Sequence, residues 1–334
     1  TRYRYNNVPT DDGGRYFYIR DGDHVWSPGW KPVKTELDDY SCRHGLGYTV
    51  IWGVKNELEV EVLIFVPVDC TAEVHPVTQT NASRQAKRVD HNTLFERCHS
   101  NAEHDMTNIQ RNTSTGEVEL DGSLIYQTTE YRDRRNHIAI YTLKRTLDGF
   151  DTDRERFLGP YNGFDRPDAV FEGQPRDSLA HGWSPIASHH LALDLEPGSE
   201  DHLVFVLGYT ENDEHSKWTE DGRINTSGAR RVIDRFATLD AVEAARSELT
   251  RHWDDLLSNW FLASHDDRLD RLVNIWNPYQ CIVTLNASRS ASLFESGISR
   301  GIGFRDSNQD LLATPHNLPD RTRERVLDLA ATQR

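Results

Sequence analysis

Between Ser299 and Leu312 the chain reads Ser-Arg-Gly-Ile-Gly-Phe-Arg-Asp-Ser-Asn-Gln-Asp-Leu-Leu, gathering Arg300, Arg305, Asp306 and Asp310 with two amides and two glycines. Such a set is equipped to grip a polyol or an anion. A guanidinium fork and a carboxylate at fixed separation bind vicinal hydroxyls bidentately, and glycine permits a close backbone approach. Composition alone equally admits a surface turn stitched by Arg–Asp pairs, with Asp306 bridged to Arg305. Upstream, Arg289 stands among serines in Asn286-Ala-Ser-Arg-Ser-Ala-Ser292, where its planar fork suits phosphate or else a pair with Glu295. Arg111, in Thr107-Asn-Ile-Gln-Arg-Asn112, carries no signal of its own beyond a solvated surface arginine. His189 and His190 lie in a strand-like run and are packing or surface residues rather than metal ligands, because no cysteine or carboxylate completes a metal spacing.

The elements that must position these residues change character along the chain. From Arg15 to about Tyr209 the apolar pattern is strand-like, in Arg15–Arg20, Leu58–Pro67, His137–Leu143 and His202–Leu207. Leu58, Val60 and Val62 alternate with Glu59 and Glu61, the mark of a half-buried antiparallel strand. Turn chemistry at Asp11-Asp-Gly-Gly14, Asp21-Gly-Asp23 and Pro197-Gly198 joins such strands into an all-β sandwich. Beyond Thr210 the period becomes helical. Leu239, Val242, Leu249, Trp253 and Leu256 follow Thr238 as N-cap, and Leu269, Leu272 and Trp276 follow Ser264-His-Asp-Asp267, which has capping-box spacing, until Pro278 kinks or ends the helix. The expectation is a β domain over 1–210, a helical linker over 211–260 and a helical domain opening at 261–334.

Bulk properties exclude several function classes. The chain has 334 residues, a net charge of -15 and a mean hydropathy of -0.69. That charge repels a phosphate backbone and no basic run offsets it, which argues against nucleic acid. No apolar run approaches the ~20 residues of a membrane span. Cys42, Cys70, Cys98 and Cys281 are scattered without a Cys-x-x-Cys pair, so neither a zinc ribbon nor a redox motif is expected. The triplets Asn81-Ala-Ser83, Asn112-Thr-Ser114 and Asn286-Ala-Ser288 would matter only in a secreted protein. An opening at Thr1, a single methionine at Met106 and a last segment that stops within or just after a helix suggest a fragment.

The Ser299–Asp310 stretch closely resembles the substrate-binding motif of the cellobiose phosphorylase family, the inverting disaccharide phosphorylases that include chitobiose-specific members. Further blocks continue the likeness: Thr1–Asn7, Val25-Trp-Ser-Pro-Gly-Trp-Lys-Pro-Val33, Arg43–Tyr48, Phe157–Pro167 and Gly182–His190. The resemblance implies an N-terminal β-sandwich, a helical linker and the first part of an (α/α)6 barrel. It also implies inverting phosphorolysis, here of cellobiose to α-D-glucose 1-phosphate and D-glucose, with chitobiose or cellobionic acid as close alternatives. An inverting hydrolase needs a second carboxylate to activate water, whereas phosphate arrives as a nucleophile, so one carboxyl group and an arginine pocket suffice.

By the same resemblance Arg289 contacts phosphate, while Arg300 and Asp306 hold the reacting sugar and Arg111 reaches the active site from the β domain. The general acid belongs to an Ala-Asp-Trp-Asn-Asp-like motif, and no Asp-Trp pair occurs here. No catalytic residue is therefore expected within the chain, and the 334-residue polypeptide alone is expected to be inactive. The resemblance further implies a cytoplasmic homodimer without metal or cofactor, with inorganic phosphate as co-substrate. Leu311-Leu-Ala-Thr-Pro-His316 departs from the family's Leu-Leu-Gly-Phe-Val-His, and Pro315 is expected to interrupt a helix. Two readings from other classes compete: a noncatalytic carbohydrate-binding β-sandwich module, and an inverting hydrolase of similar barrel architecture.

Overall fold

The computed structural model of the chain describes residues 14–96, 116–129, 136–180, 185–213, 215–287 and 303–332. It divides into two compact units, Thr1–Arg246 and Ser247–Arg334. Among the described residues the first unit holds thirteen strands: β1 Arg15–Asp21, β2 His24–Trp26, β3 Asp39–Gly45, β4 Tyr48–Lys55, β5 Leu58–Phe65, β6 Ala72–Asn81, β7 Lys87–Glu96, β8 Gly116–Asp121, β9 Leu124–Thr129, β10 His137–Leu143, β11 Gly149–Asp153, β12 Pro185–Leu195 and β13 Glu200–Glu211. They form a five-stranded sheet in the order β11-β12-β7-β1-β2 and an eight-stranded sheet in the order β3-β4-β5-β6-β13-β10-β9-β8. Neighbouring strands pair antiparallel in both.

Alternation places the core between the sheets. Leu58, Val60 and Val62 on β5 are buried, as expected, and meet Phe17 and Ile19 of β1, Phe95 of β7 and Phe205 of β13 in one cluster. Both faces of β1 are covered, because Tyr16 and Tyr18 turn outward beneath two short helices, α1 Arg154–Leu158 and α2 Asp168–Phe171, that contribute Phe157 and Val170. The expected turns at Gly22 and Gly198 are present, each with a positive φ that glycine adopts without strain. Asp11–Gly13 lie outside the described residues.

Asn81 closes the β6–β7 connection from within. Its buried amide nitrogen donates to the carbonyls of Gln85 and Leu195 at 2.7 and 2.9 Å, and its Oδ1 accepts from Ser83. Both amide hydrogens are thus spent on the fold, so the acceptor-like triplet at this position is structural.

Helix begins at Ser227 rather than directly after the last strand. Residues 215–226 form turns closed by a bridge between Trp218 and Ile224. Helix α3, Ser227–Arg235, lays Ala229, Val232 and Ile233 over the outer face of β9 and β10. Helix α4, Leu239–Leu257, starts where Thr238 Oγ1 accepts from the Ala241 amide at 3.2 Å, and it buries Val242 and Leu249.

The second unit contains α5 Asp267–Arg271, a π turn Leu272–Trp276, α6 Asn277–Ala287, α7 Phe304–Leu311 and α8 Pro319–Ala331. One sequence expectation is corrected here, and the alternatives left at Pro278 are decided. The cap of α5 is Asp266, whose Oδ1 accepts from the Arg268 and Leu269 amides, while Ser264 instead donates to Asp270. A carboxylate beside the positive helix end outcompetes a hydroxyl two residues earlier. Nor does Pro278 end the helix. Proline lacks the donor for the Asn274 carbonyl and its ring crowds that carbonyl, and the chain responds by widening the preceding turn, where Asn277 N–H bonds the Leu272 carbonyl. Asn274 then fixes the segment by bonding both the N–H and the C=O of Leu262, at 2.9 and 2.8 Å.

Candidate functional site

Of the four residues expected to contact substrate or phosphate, Asp306 is the one within the described residues. Arg111, Arg289 and Arg300 lie outside them. Asp306 occupies the first turn of α7, which is flanked by α6 and α8 within the second unit. Gly303 caps this helix with φ -66 and ψ 129, and a Cβ built on it would stand 3.0 Å from Asp306 Oδ2. The glycine therefore leaves room for the carboxylate to lie over the helix start, where amide N–H groups and the macrodipole favour negative charge.

The face is fixed from behind. Ser307 and Leu311 are buried, and Asp306 and Asp310, one turn apart, share the partly exposed flank beside them. Arg305 approaches Asp306 Oδ1 at 3.8 Å, but the arginine side chain is 90% exposed and the carboxylate 44%. This is a weak surface pair that competes little with a ligand. The residues after α7 behave as the local departure predicts: helix stops at Leu311, and Pro315 lies in a turn held by buried Thr314, which bonds Leu311 O at 3.1 Å and Thr322 Oγ1 at 2.9 Å. Arg321 of α8 donates to Asn286 near the end of α6 at 2.8 Å.

The histidines behave differently. His189 and His190 are buried, so the packing alternative holds, and His190 Nδ1 meets Asn92 Oδ1 at 2.8 Å. His189 stacks on Tyr141, and two further histidines join it in the space between the sheets. His75 stacks on Phe95 and His91 stacks on Phe205, with Phe17 edge-on to both. Gln79 donates to His91 Nδ1 at 2.7 Å. Burial drives both imidazoles down to about 3, so both are neutral ring members of an aromatic core. Their alternation on β6 and β7 was available in the sequence, but polarity hid it. Among the described residues no group of three or more potential ligands is placed to hold a metal ion.

Residues 1–237 match the glycosyl hydrolase 94 supersandwich domain and residues 252–334 match the glycosyl hydrolase 94 superfamily catalytic domain. The chain belongs to the glycosyl hydrolase 94 family. It is similar to N,N'-diacetylchitobiose phosphorylases of Vibrio proteolyticus, at 30% identity over 100% of this chain and 40% of the relative, and of Vibrio furnissii, at 29% over 100% and 40%. A solabiose phosphorylase of Paenibacillus borealis is 28% identical over 94% of this chain and 38% of its own length. The chain thus spans about 40% of the length of these relatives. These relatives are disaccharide phosphorylases. No helix among the described residues is long and apolar enough to cross a membrane.

Proposed function

We propose that the complete protein is an inverting phosphorylase of a β-1,4-linked disaccharide, transferring the non-reducing sugar to phosphate as an α-sugar 1-phosphate. The observation that carries this reading is the similarity, over the whole chain, to N,N'-diacetylchitobiose phosphorylases. N,N'-diacetylchitobiose is accordingly the first substrate to test, and cellobiose, favoured by the motif resemblance, the second. In this scheme Asp306 accepts hydrogen bonds from the hydroxyls of the reacting sugar, Arg300 binds beside it, Arg289 holds phosphate and Arg111 enters from the β-sandwich. Residues 261–334 open an (α/α)6 barrel, residues 211–260 link it to the sandwich, and the general acid comes from sequence beyond this chain. The protein works as a cytoplasmic homodimer without a metal or cofactor.

Two features support the role of Asp306. Its carboxylate is 44% exposed, and Gly303 clears the space above it. The test is phosphate-dependent release of sugar 1-phosphate from each disaccharide by the complete reading frame. Turnover of either substrate, and an Asp306→Asn change that lowers kcat/KM by about a hundredfold with the fold intact, are the expected results. Phosphate-independent hydrolysis would move the assignment to an inverting hydrolase, and full activity of Asp306→Asn would remove that residue from the site. The 334-residue chain alone is expected to show no turnover.

A further inference from the structure

A groove of about 890 Å³ runs along β8, the edge strand of the eight-stranded sheet, wholly within the first unit. Its floor is apolar and aromatic: Tyr126 and Ile224 are nearly fully buried and Phe150 is partly so. Its rim is charged. Asp121 pairs with Arg230 from α3, Asp221 accepts from Thr219 and faces Arg223 Nε at 3.7 Å, and the Tyr126 hydroxyl donates to Glu119 at 2.5 Å. Burial, followed by the bond to Glu119, raises the Tyr126 phenol well above its ordinary value, so it remains a donor.

Three properties identify the ligand chemistry. The rim charges are Glu119, Asp121 and Asp221 against Arg223 and Arg230, close to balance and slightly acidic, which gives an anion no net attraction. Each charged side chain is already oriented by a neighbour but keeps unused capacity, since a carboxylate accepts about four hydrogen bonds and a guanidinium donates five. Oriented acceptors and donors over an aromatic floor match a molecule with an apolar ring face and a belt of hydroxyls. The volume lies within the ~300–1,000 Å³ of ligand clefts, and among the described residues β8 has a neighbouring strand on one side, β9.

We propose that this groove is a second carbohydrate site, which takes a neutral oligosaccharide of several sugar units on the β-sandwich, separately from the Asp306 site. It neither requires nor excludes the phosphorolysis proposed above. The Thr219-Glu-Asp-Gly-Arg223 turn that supplies the rim reads in sequence only as a polar loop; the Trp218–Ile224 bridge at its base and the packing of Ile224 with Tyr126 are what bring it to the groove.

The experiment is isothermal titration of the full 334-residue chain, in phosphate-free buffer, with cellotetraose, chitotetraose and laminaritetraose in turn. At least one tetrasaccharide binds in the millimolar range or tighter. The change Asp221→Ala together with Arg223→Ala weakens it at least about tenfold. Both side chains are largely exposed, so the double variant folds, which an unchanged circular dichroism spectrum checks. Asp306→Asn leaves the affinity unchanged. Absence of binding to all three sugars, equal affinity in the groove variant, or loss of binding in Asp306→Asn in its place would each overturn the proposal. Saturable binding of inorganic phosphate abolished by the same double variant would also overturn it, by making the groove an anion site.

Discussion

His91 shows how one side chain ties the chemistry of the core to pH. It accepts from Gln79 at Nδ1, and its Nε2 is enclosed without a hydrogen-bond partner. Burial, and after it the nearby His190, lowers its pKa from an ordinary 6.5 to about 3. In the unfolded chain the imidazole takes up a proton near pH 6.5, whereas in the fold it waits until about pH 3, so between those values the unfolded state binds more protons. Stability supplied by neutral His91 is therefore complete above pH ~6.5 and declines as pH falls, by ~2 kcal/mol at pH 5. The urea midpoint should drop from pH 7 to pH 5, while the His91 ring resonances keep their neutral positions in NMR spectra of the folded chain. A ring that titrates near 6.5 in the native state would end this account. The sequence shows that histidines occur here but not that His75, His91 and His189 lie between the sheets, because each strand's neighbours are set by long-range pairing.

At the scale of elements, the short helix α1 illustrates how closely connections are built. Asp153 caps it by accepting from the Glu155 and Arg156 amides, and Gly159 ends it with φ +82. A Cβ at Gly159 would fall 1.9 Å from Asp168 Oδ2, the carboxylate that also accepts from Asn162 at 2.7 Å through its other oxygen. Gly159→Ala thus combines a left-handed backbone with a clash against a committed group, and it should cost ~2–4 kcal/mol in urea unfolding. A shift below ~0.5 kcal/mol would show that α1 and α2 move apart freely. The same logic of accommodation explains the π turn before Pro278. The proline is obvious in the sequence, but whether it ends a helix or widens a turn depends on the anchoring of Asn274 to Leu262.

On the scale of the whole molecule, the first unit completes its cores, whereas the second leaves apolar helix surface in solvent. Leu269, Leu272 and Trp276 are 44%, 48% and 40% exposed, and Leu312 and Phe261 reach 79% and 75%. Surface of this kind drives association. The 334-residue chain should therefore self-associate in analytical ultracentrifugation and bind a hydrophobic dye, and replacing Leu272 and Leu312 by lysine should reduce both. A dye-silent monomer would contradict the prediction. The sequence by itself determined the sandwich strands, the switch from period two to helical period, the lack of a basic run or of an apolar run as long as a membrane-spanning helix, and the family motif around Asp306, because these depend on local order and composition. Tertiary structure alone decided that the histidines form an aromatic core, that Asn81 is spent on a turn, that Asp266 rather than Ser264 caps α5, and that Thr219–Arg223 faces Tyr126 across a groove. Each of these rests on contacts between residues distant in sequence or on competition among neighbouring groups for one hydrogen-bonding position, and only the packed chain resolves them.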